Sequence, residues 1–156
     1  MESDVWLTAD GVPVLDHDGL IRRGFGRGRP ISGVRRADLP AHIPALTDLI
    51  EACGSQYHLS LDLKDPGSGQ RVVDVVREAA PEMLPRLWLC SPVWESLLPL
   101  RGSGARLVDS TRLARIKEGP ERRAATLAQH GIDAINLHHS DWNGGMVTLF
   151  HRFERI

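Results

Sequence analysis

Residues 57–80, YHLSLDLKDPGSGQRVVDVVREAA, contain a strand pattern followed directly by a helix pattern. Leucine alternates with polar residues from Tyr57 to Leu63, as expected when one face of a β-strand is buried. From Gln70 to Ala80, valines recur at the spacing that buries one side of a helix. The stretch therefore predicts a β-strand followed by an α-helix, with Asp62 and Lys64 on the polar side of the strand.

The same succession of strand and helix patterns continues along the chain. It is typical of βα units whose strands run parallel, and it predicts an α/β fold with residues 1–156 in a single domain. In parallel α/β proteins, functional residues lie at the carboxyl ends of the strands. The predicted strands lie near residues 4, 60, 88, 107 and 136, and the predicted helices cover residues 44–53, 70–80, 92–100, 121–130 and 147–153.

Composition argues against several classes of partner and site. With 19 basic and 20 acidic residues the net charge is -1, so nothing indicates nucleic acid or an anionic membrane as a partner. No apolar run reaches the roughly 18 residues of a membrane-spanning helix. Cys53 and Cys90 lack metal-site spacing, so we expect free, buried thiols in a reducing compartment, and a cytoplasmic location. The glycines of residues 24–28 predict a surface loop, because no helical pattern follows them.

Acidic residues near the start of the chain point to metal binding or catalysis. Glu2 and Asp4 fall on the same side of a predicted strand, about 7 Å apart, and could bind one hard cation. His17 follows a turn and could act as a general acid or base, or it could be a surface residue of that turn. Asp62 could be a third oxygen ligand with Lys64 facing a phosphate, or the two could form a simple ion pair. Three carboxylates suit Mg²⁺ or Ca²⁺ better than Zn²⁺.

Several motifs together resemble one known family, the glycerophosphodiester phosphodiesterases. Residues 2–18 combine the carboxylate-x-carboxylate motif ESDV, the sequence LTADGVPV and the pair His17-Asp18. Two further matches are IPAL at residues 43–46 and LDLK at residues 61–64. The first block is highly specific, and the resemblance covers essentially the whole chain.

The resemblance implies a partial TIM (β/α)8 barrel with about five βα units, the second to the sixth. Because a complete barrel takes roughly 250 residues, we expect a domain truncated at both ends. The implied activity is metal-dependent hydrolysis of glycerophosphodiesters to sn-glycerol 3-phosphate and an alcohol, with Mg²⁺ or Ca²⁺ as cofactor. The implied roles are metal binding by Glu2, Asp4 and Asp62, acid/base catalysis by His17, and stabilisation of phosphate charge by Lys64.

One further site residue is expected from its position in the predicted sheet. His138 ends a strand at the face where the other candidates lie, so we expect it to contact the substrate.

Departures from the family pattern leave a second interpretation open. The family's first strand normally carries His-Arg-Gly, which supplies another histidine and an arginine, and this motif is absent from the sequence. The third acidic ligand is usually Glu, where this chain has Asp62. The alternative is a catalytically inactive barrel fragment or degenerate paralogue that retains only metal or phosphate binding. The open edges of a partial barrel would favour self-association.

Overall fold

The computed structural model describes residues 1–22 and 28–156, so most of the loop predicted at residues 24–28 lies outside the described residues. The strands are β1 (Glu2–Leu7), β2 (Pro13–Leu15), β3 (Leu20–Ile21), β4 (Arg29–Pro30), β5 (Leu59–Leu63), β6 (Leu87–Ser91), β7 (Arg106–Thr111) and β8 (Ala134–Leu137). The α-helices are α1 (Leu46–Cys53), α2 (Ser68–Ala79), α3 (Pro120–Gln129) and α4 (Gly144–Arg152). Short 3₁₀ helices cover Ile31–Gly33, Arg36–Asp38, Pro81–Arg86, Trp94–Leu100, Leu113–Arg115 and His139–Asp141. Within this described part, no helix is long and apolar enough to cross a membrane.

Six strands form one sheet in the order β2-β1-β5-β6-β7-β8, and β3 pairs with β4 in a separate sheet. Strands β1, β5, β6, β7 and β8 run parallel, whereas β2 returns antiparallel to β1. At the β8 edge, Ile156 adds backbone hydrogen bonds to Asp133 and Ile135. The prediction of an α/β fold with five parallel strands is therefore confirmed.

The main hydrophobic core lies between one face of this sheet and the helices. Leu61, Leu89 and Leu107 lie side by side on neighbouring strands and are at most 2% exposed. They belong to the same core as Val72 and Val76 of α2. Because side chains alternate along a strand, the intervening residues lie on the opposite face of the sheet. We call that surface the open face, formed by Glu2, Asp4, Ser60, Asp62, Trp88, Cys90, Val108 and Ala134.

Two segments differ from the sequence prediction. The helix predicted over residues 92–100 is a 3₁₀ helix over Trp94–Leu100, and Pro99 lies inside it. Proline has no amide hydrogen for the α-helical hydrogen bond, which favours a short and irregular helix. Residues 28–40 are less loop-like than their glycines and prolines suggest, since they contain a short strand and two 3₁₀ turns around a second, smaller core.

Candidate active site

Asp4, Asp62 and Lys64 meet on two neighbouring parallel strands, at the carboxyl end of β5. Asp4 of β1 is the direct register partner of Asp62 of β5. The Lys64 Nζ atom lies 3.2 Å from Asp4 Oδ1 and 3.4 Å from Asp62 Oδ2. The Asp4 side chain is only 11% exposed, so the group is partly shielded from water. We call these three residues the lysine cluster.

The electrostatics of the lysine cluster favour a charged lysine. Desolvation lowers the pKa of Lys64, but the hydrogen bond and charge of Asp4, together with those of Asp62, outweigh it and raise the pKa. Lys64 is therefore an ammonium ion at neutral pH. A fixed ammonium group is suited to binding an anionic ligand such as a phosphate.

Asp65, which the sequence did not single out, fixes the backbone around the cluster. Its Oδ2 accepts a hydrogen bond of 2.6 Å from the backbone N–H of Leu7. The N–H of Lys64 donates to the carbonyl of Val5 at 3.2 Å. Together these bonds tie the segment after β5 to the end of β1. The available signal was a carboxylate directly before the Pro66-Gly67 turn, where aspartate commonly binds backbone amides.

Glu2 lies on the same face as the cluster but outside it. It is two residues before Asp4 and opposite Ser60 of β5. Burial, with smaller contributions from the charges of Asp62 and Glu2, raises the pKa of the Cys90 thiol to about 11. The charge of Glu2, on the same open face, therefore makes a small contribution to the pKa of Cys90.

The carboxylates fit a hard divalent cation in their chemistry, although they are not arranged around one. Carboxylate oxygens are the ligands that Mg²⁺ and Ca²⁺ prefer. Among residues 1–22 and 28–156, however, no three histidine, cysteine or acidic side chains are grouped so that they could hold an ion. The positive charge next to Asp4 and Asp62 is that of Lys64. Metal binding by Glu2, Asp4 and Asp62 stays a prediction.

The motif LTADGVPV builds the turn that returns the chain toward the cluster. Thr8 Oγ1 donates to Asp10 Oδ1 at 2.5 Å and accepts from the N–H of Val12 at 2.9 Å. Gly11 adopts a φ of +74°, in the left-handed region that favours glycine. These contacts give the motif a structural role, because they form the β1–β2 hairpin.

His17 lies beside the cluster and is open to solvent. The N–H of Asp16 donates to the carbonyl of Asp4 at 3.2 Å, which brings the next residue, His17, close to β1. The His17 side chain is 94% exposed, and its Nδ1 lies 3.0 Å from Asp18 Oδ1. The hydrogen bond and charge of Asp18, and then the charge of Asp4, raise the pKa of His17, while desolvation and Lys64 oppose them. His17 is therefore within electrostatic range of the cluster.

His138 is not brought into the lysine cluster. It follows β8, which is three strands away from β5 in the sheet. Its Nδ1 lies 2.8 Å from Ser140 Oγ, and its ring packs on that of His139 with centroids 4.0 Å apart. In the described part of the chain, it makes no hydrogen bond or ion pair with the cluster. A substrate contact by His138 stays a prediction.

Comparison with solved structures identifies the fold of the chain. Neither a protein-family model nor a curated protein matches the chain. Among solved structures, a protein assigned as a glycerophosphoryl diester phosphodiesterase from Silicibacter pomeroyi matches with a TM-score of 0.81 at 21% identity, over 99% of this chain and 70% of that one. The glycerophosphodiester phosphodiesterase of Thermotoga maritima matches with a TM-score of 0.75 at 17% identity, over 97% and 66% of the two chains.

A third match carries a bound molecule. It is an Oleispira antarctica phosphodiesterase in complex with the product sn-glycerol-3-phosphate, with a TM-score of 0.73 at 20% identity, over 99% of this chain and 69% of that one. At such low identities these likenesses establish the fold alone. The chain has the α/β fold of the glycerophosphodiester phosphodiesterase TIM barrels, of which it spans about 70%.

Proposed function

We propose that this chain carries the site of a glycerophosphodiester phosphodiesterase, which hydrolyses glycerophosphodiesters to sn-glycerol 3-phosphate and an alcohol. The lysine cluster is the observation that supports this most. It sets an ammonium ion beside two carboxylates, on the strands of a fold shared with such enzymes. The sn-glycerol-3-phosphate bound to the Oleispira antarctica protein belongs to the same chemistry.

In this proposal each candidate residue has a distinct role. Lys64 binds the phosphate and stabilises negative charge that develops on its oxygens. His17 transfers protons to and from the reacting oxygens, and its raised pKa favours the protonated form needed by a general acid. Glu2, Asp4 and Asp62 are the residues that would hold a divalent cation, Mg²⁺ or Ca²⁺. When bound, such a cation neutralises phosphate charge and polarises an oxygen nucleophile.

The second candidate function is binding of a phosphate or metal ion without catalysis. One observation favours it: His17 is 94% exposed, whereas a catalytic proton donor is usually held in a defined position. In the described residues, no histidine, His17 included, forms a hydrogen bond or ion pair with the lysine cluster. Loss of one acid/base group costs about 10²–10⁴ in rate.

We propose that the protein acts on a small-molecule substrate in the cytoplasm. Both cysteines are free, which is consistent with a reducing compartment; Cys90 is buried as expected, but Cys53, at the last position of α1, is exposed. His138 is proposed as a substrate contact at the same end of the sheet. Residues 1–156 are proposed to form a single partial domain of this enzyme class.

Release of sn-glycerol 3-phosphate from glycerophosphocholine, with and without Mg²⁺ or Ca²⁺, separates the two functions. For the enzyme we expect metal-dependent release that falls about 10²-fold or more in His17→Ala. His42→Ala, an exposed histidine outside the site, is the matched control and should retain the activity. Absence of turnover, with glycerol 3-phosphate still bound, would support the binding function instead.

A further inference from the structure

A cleft lies beside the lysine cluster, between the segments that follow β5 and β6. Its volume is about 450 Å³, which is within the roughly 300–1,000 Å³ typical of small-molecule pockets. Lys64 is part of its wall, so the cleft adjoins the residue that we propose binds the phosphate. Its apolar lining consists of Leu63, Pro66, Pro92, Val93, Pro99 and Leu100.

The polar groups of the cleft are largely satisfied by the protein itself. Lys64 and Asp65 are the charged residues in its lining, and the Asp65 carboxylate already accepts a hydrogen bond from the backbone of β1. Ser96 donates to the carbonyl of Val93 at 2.6 Å, and the hydroxyls of Ser91 and Ser96 lie 2.9 Å apart. Beyond Lys64, the cleft therefore favours an uncharged and apolar ligand group.

Val93 holds an exposed apolar side chain at this cleft. Val93 is 56% exposed, whereas most valines in the described part of the chain are buried or half-buried. Ser91 Oγ accepts from the N–H of Val93 at 3.2 Å, and Ser96 binds the carbonyl of the same residue. Both backbone polar groups of Val93 are thus fixed, which holds the residue in one position before a ligand arrives.

We propose that this cleft binds the alcohol arm of a phosphodiester whose phosphate lies on Lys64, and that it selects an uncharged, apolar arm. The proposal rests on the proposed function and names its substrate class. A diester has two substituents on one phosphate, so an arm that extends from a phosphate bound at Lys64 reaches the adjoining cleft. Each methylene that leaves water on binding strengthens the complex by about fourfold. An apolar arm therefore gains affinity that a hydroxylated arm of similar size does not.

Titration of the protein with three ligands tests this selection. The ligands are glycerol 3-phosphate, which has no arm, and two diesters of glycerol 3-phosphate, one with butanol and one with glycerol. We expect the butyl diester to bind about 10-fold more tightly than the glyceryl diester. In NMR spectra, the butyl diester should shift the methyl signals of Val93 and Leu100, and glycerol 3-phosphate should shift only the Lys64 ammonium signal.

Matched variants complete the experiment. Val93→Ser should remove the preference for the butyl diester and leave the affinity for glycerol 3-phosphate unchanged. Val147→Ser, at an exposed valine of α4, should keep the preference. Equal affinities of the two diesters, or an unchanged preference in Val93→Ser, would overturn the role of the cleft while the phosphate site stands. If none of the three ligands shifts the Lys64 signal, the proposed function fails, and the substrate class fails with it.

Discussion

Among single residues, Lys64 matters most for the charge balance of the lysine cluster. Its ammonium group lies between two carboxylates that face each other across neighbouring strands, Asp4 and Asp62, and offsets one of their two negative charges. Without it, the two negative charges would repel each other in a partly shielded place. In the proposed function, the same ammonium group also binds the phosphate, which would link the stability of the cluster to ligand binding.

Replacement of Lys64 by methionine should therefore act in opposite directions on anions and cations. We expect the affinity for glycerol 3-phosphate to fall by about 10-fold or more, and the affinity for Ca²⁺ to rise, because two carboxylates lose their internal counter-ion. Isothermal titration with each ligand measures both effects. Lys117→Met, at an exposed lysine outside the cluster, is the control and should change neither affinity. An unchanged affinity for glycerol 3-phosphate in Lys64→Met would remove Lys64 from the phosphate site.

Asp109 is a second residue whose charge matters, on the helix side of the sheet. It is fully buried, and its Oδ2 accepts a 3.1 Å hydrogen bond from Arg123 of α3. The Nε of Arg123 lies 2.7 Å from Glu118 Oε1. Burial raises the pKa of Asp109 to about 6; Arg123 lowers it, and the charges of Glu95 and Glu118 add to the increase.

The burial of Asp109 predicts that the free energy of unfolding depends on pH. Because the pKa of Asp109 is higher in the folded protein than the ordinary value of 3.8, protonation stabilises the fold. The contribution is fully present below about pH 4 and is lost as the pH rises through about 6, with a size of roughly 1–3 kcal/mol. Urea unfolding of the wild type and Asp109→Asn between pH 4 and 8 should show this dependence only in the wild type. Asp38→Asn, at an exposed position, should keep it.

The β1–β2 hairpin is the element that connects the sequence motif to the site. Thr8 is 4% exposed, and its hydroxyl is the acceptor for the N–H of Val12. The hairpin in turn determines where His17 lies relative to Asp4. The motif LTADGVPV resembles that of the glycerophosphodiester phosphodiesterases. Its sequence alone does not show that Thr8, Asp10 and Val12 form the hydrogen bonds of the turn.

Removal of the Thr8 hydroxyl tests the hairpin. Thr8→Val should lower the free energy of unfolding by about 0.5–1.5 kcal/mol, because the half-buried N–H of Val12 loses its acceptor. A loosened hairpin should also remove the smaller part of the pKa increase of His17, which comes from the charge of Asp4, while the larger part from Asp18 remains. NMR titration of the imidazole signals would record this partial decrease. Thr148→Val on α4, whose hydroxyl donates to the carbonyl of Gly144, is the control for His17 and should leave its pKa unchanged. An unaltered stability in Thr8→Val would contradict the structural role of this hydroxyl.

For the whole molecule, β8 is an outer strand of the open sheet. Ile156 covers only the backbone beside Asp133 and Ile135, and among the β8 residues Asn136 is the exposed one. Asn136 of β8 is exposed on this side, close to the small apolar group of Cys90, Val108 and Ala134. Edge strands with free backbone groups favour pairing with another chain. We therefore propose that the chain associates with itself through this edge.

Sedimentation at increasing protein concentration tests the self-association. We expect the mean mass to rise with concentration for the wild type and to rise less for Asn136→Lys, because a charge on an edge strand opposes pairing. His151→Lys, at an exposed position of α4, should associate as the wild type does. A mass of 17.3 kDa at every concentration would contradict the proposal.

The periodic patterns of the sequence were enough to predict the α/β class, the five parallel strands and most helices. This works because a strand with one buried face repeats every two residues, and a helix about every 3.6 residues. The same periodicity placed Asp62 and Lys64 on one side of β5, and Glu2 and Asp4 on one side of β1. The prolines of residues 92–100 weakened the prediction there, since apolar spacing does not distinguish a 3₁₀ helix from an α-helix.

The tertiary structure decided which of these side chains meet. Only the register of β1 with β5 sets Asp4 beside Asp62 and lets Lys64 reach both, because these strands are far apart in the sequence. Likewise, Asp65 gains its role from a backbone amide of β1, and His138 lies three strands away from β5. Local patterns depend on neighbouring residues along the chain, so they can be predicted from the sequence. Contacts between distant strands depend on how the sheet assembles, and only the folded chain reveals them.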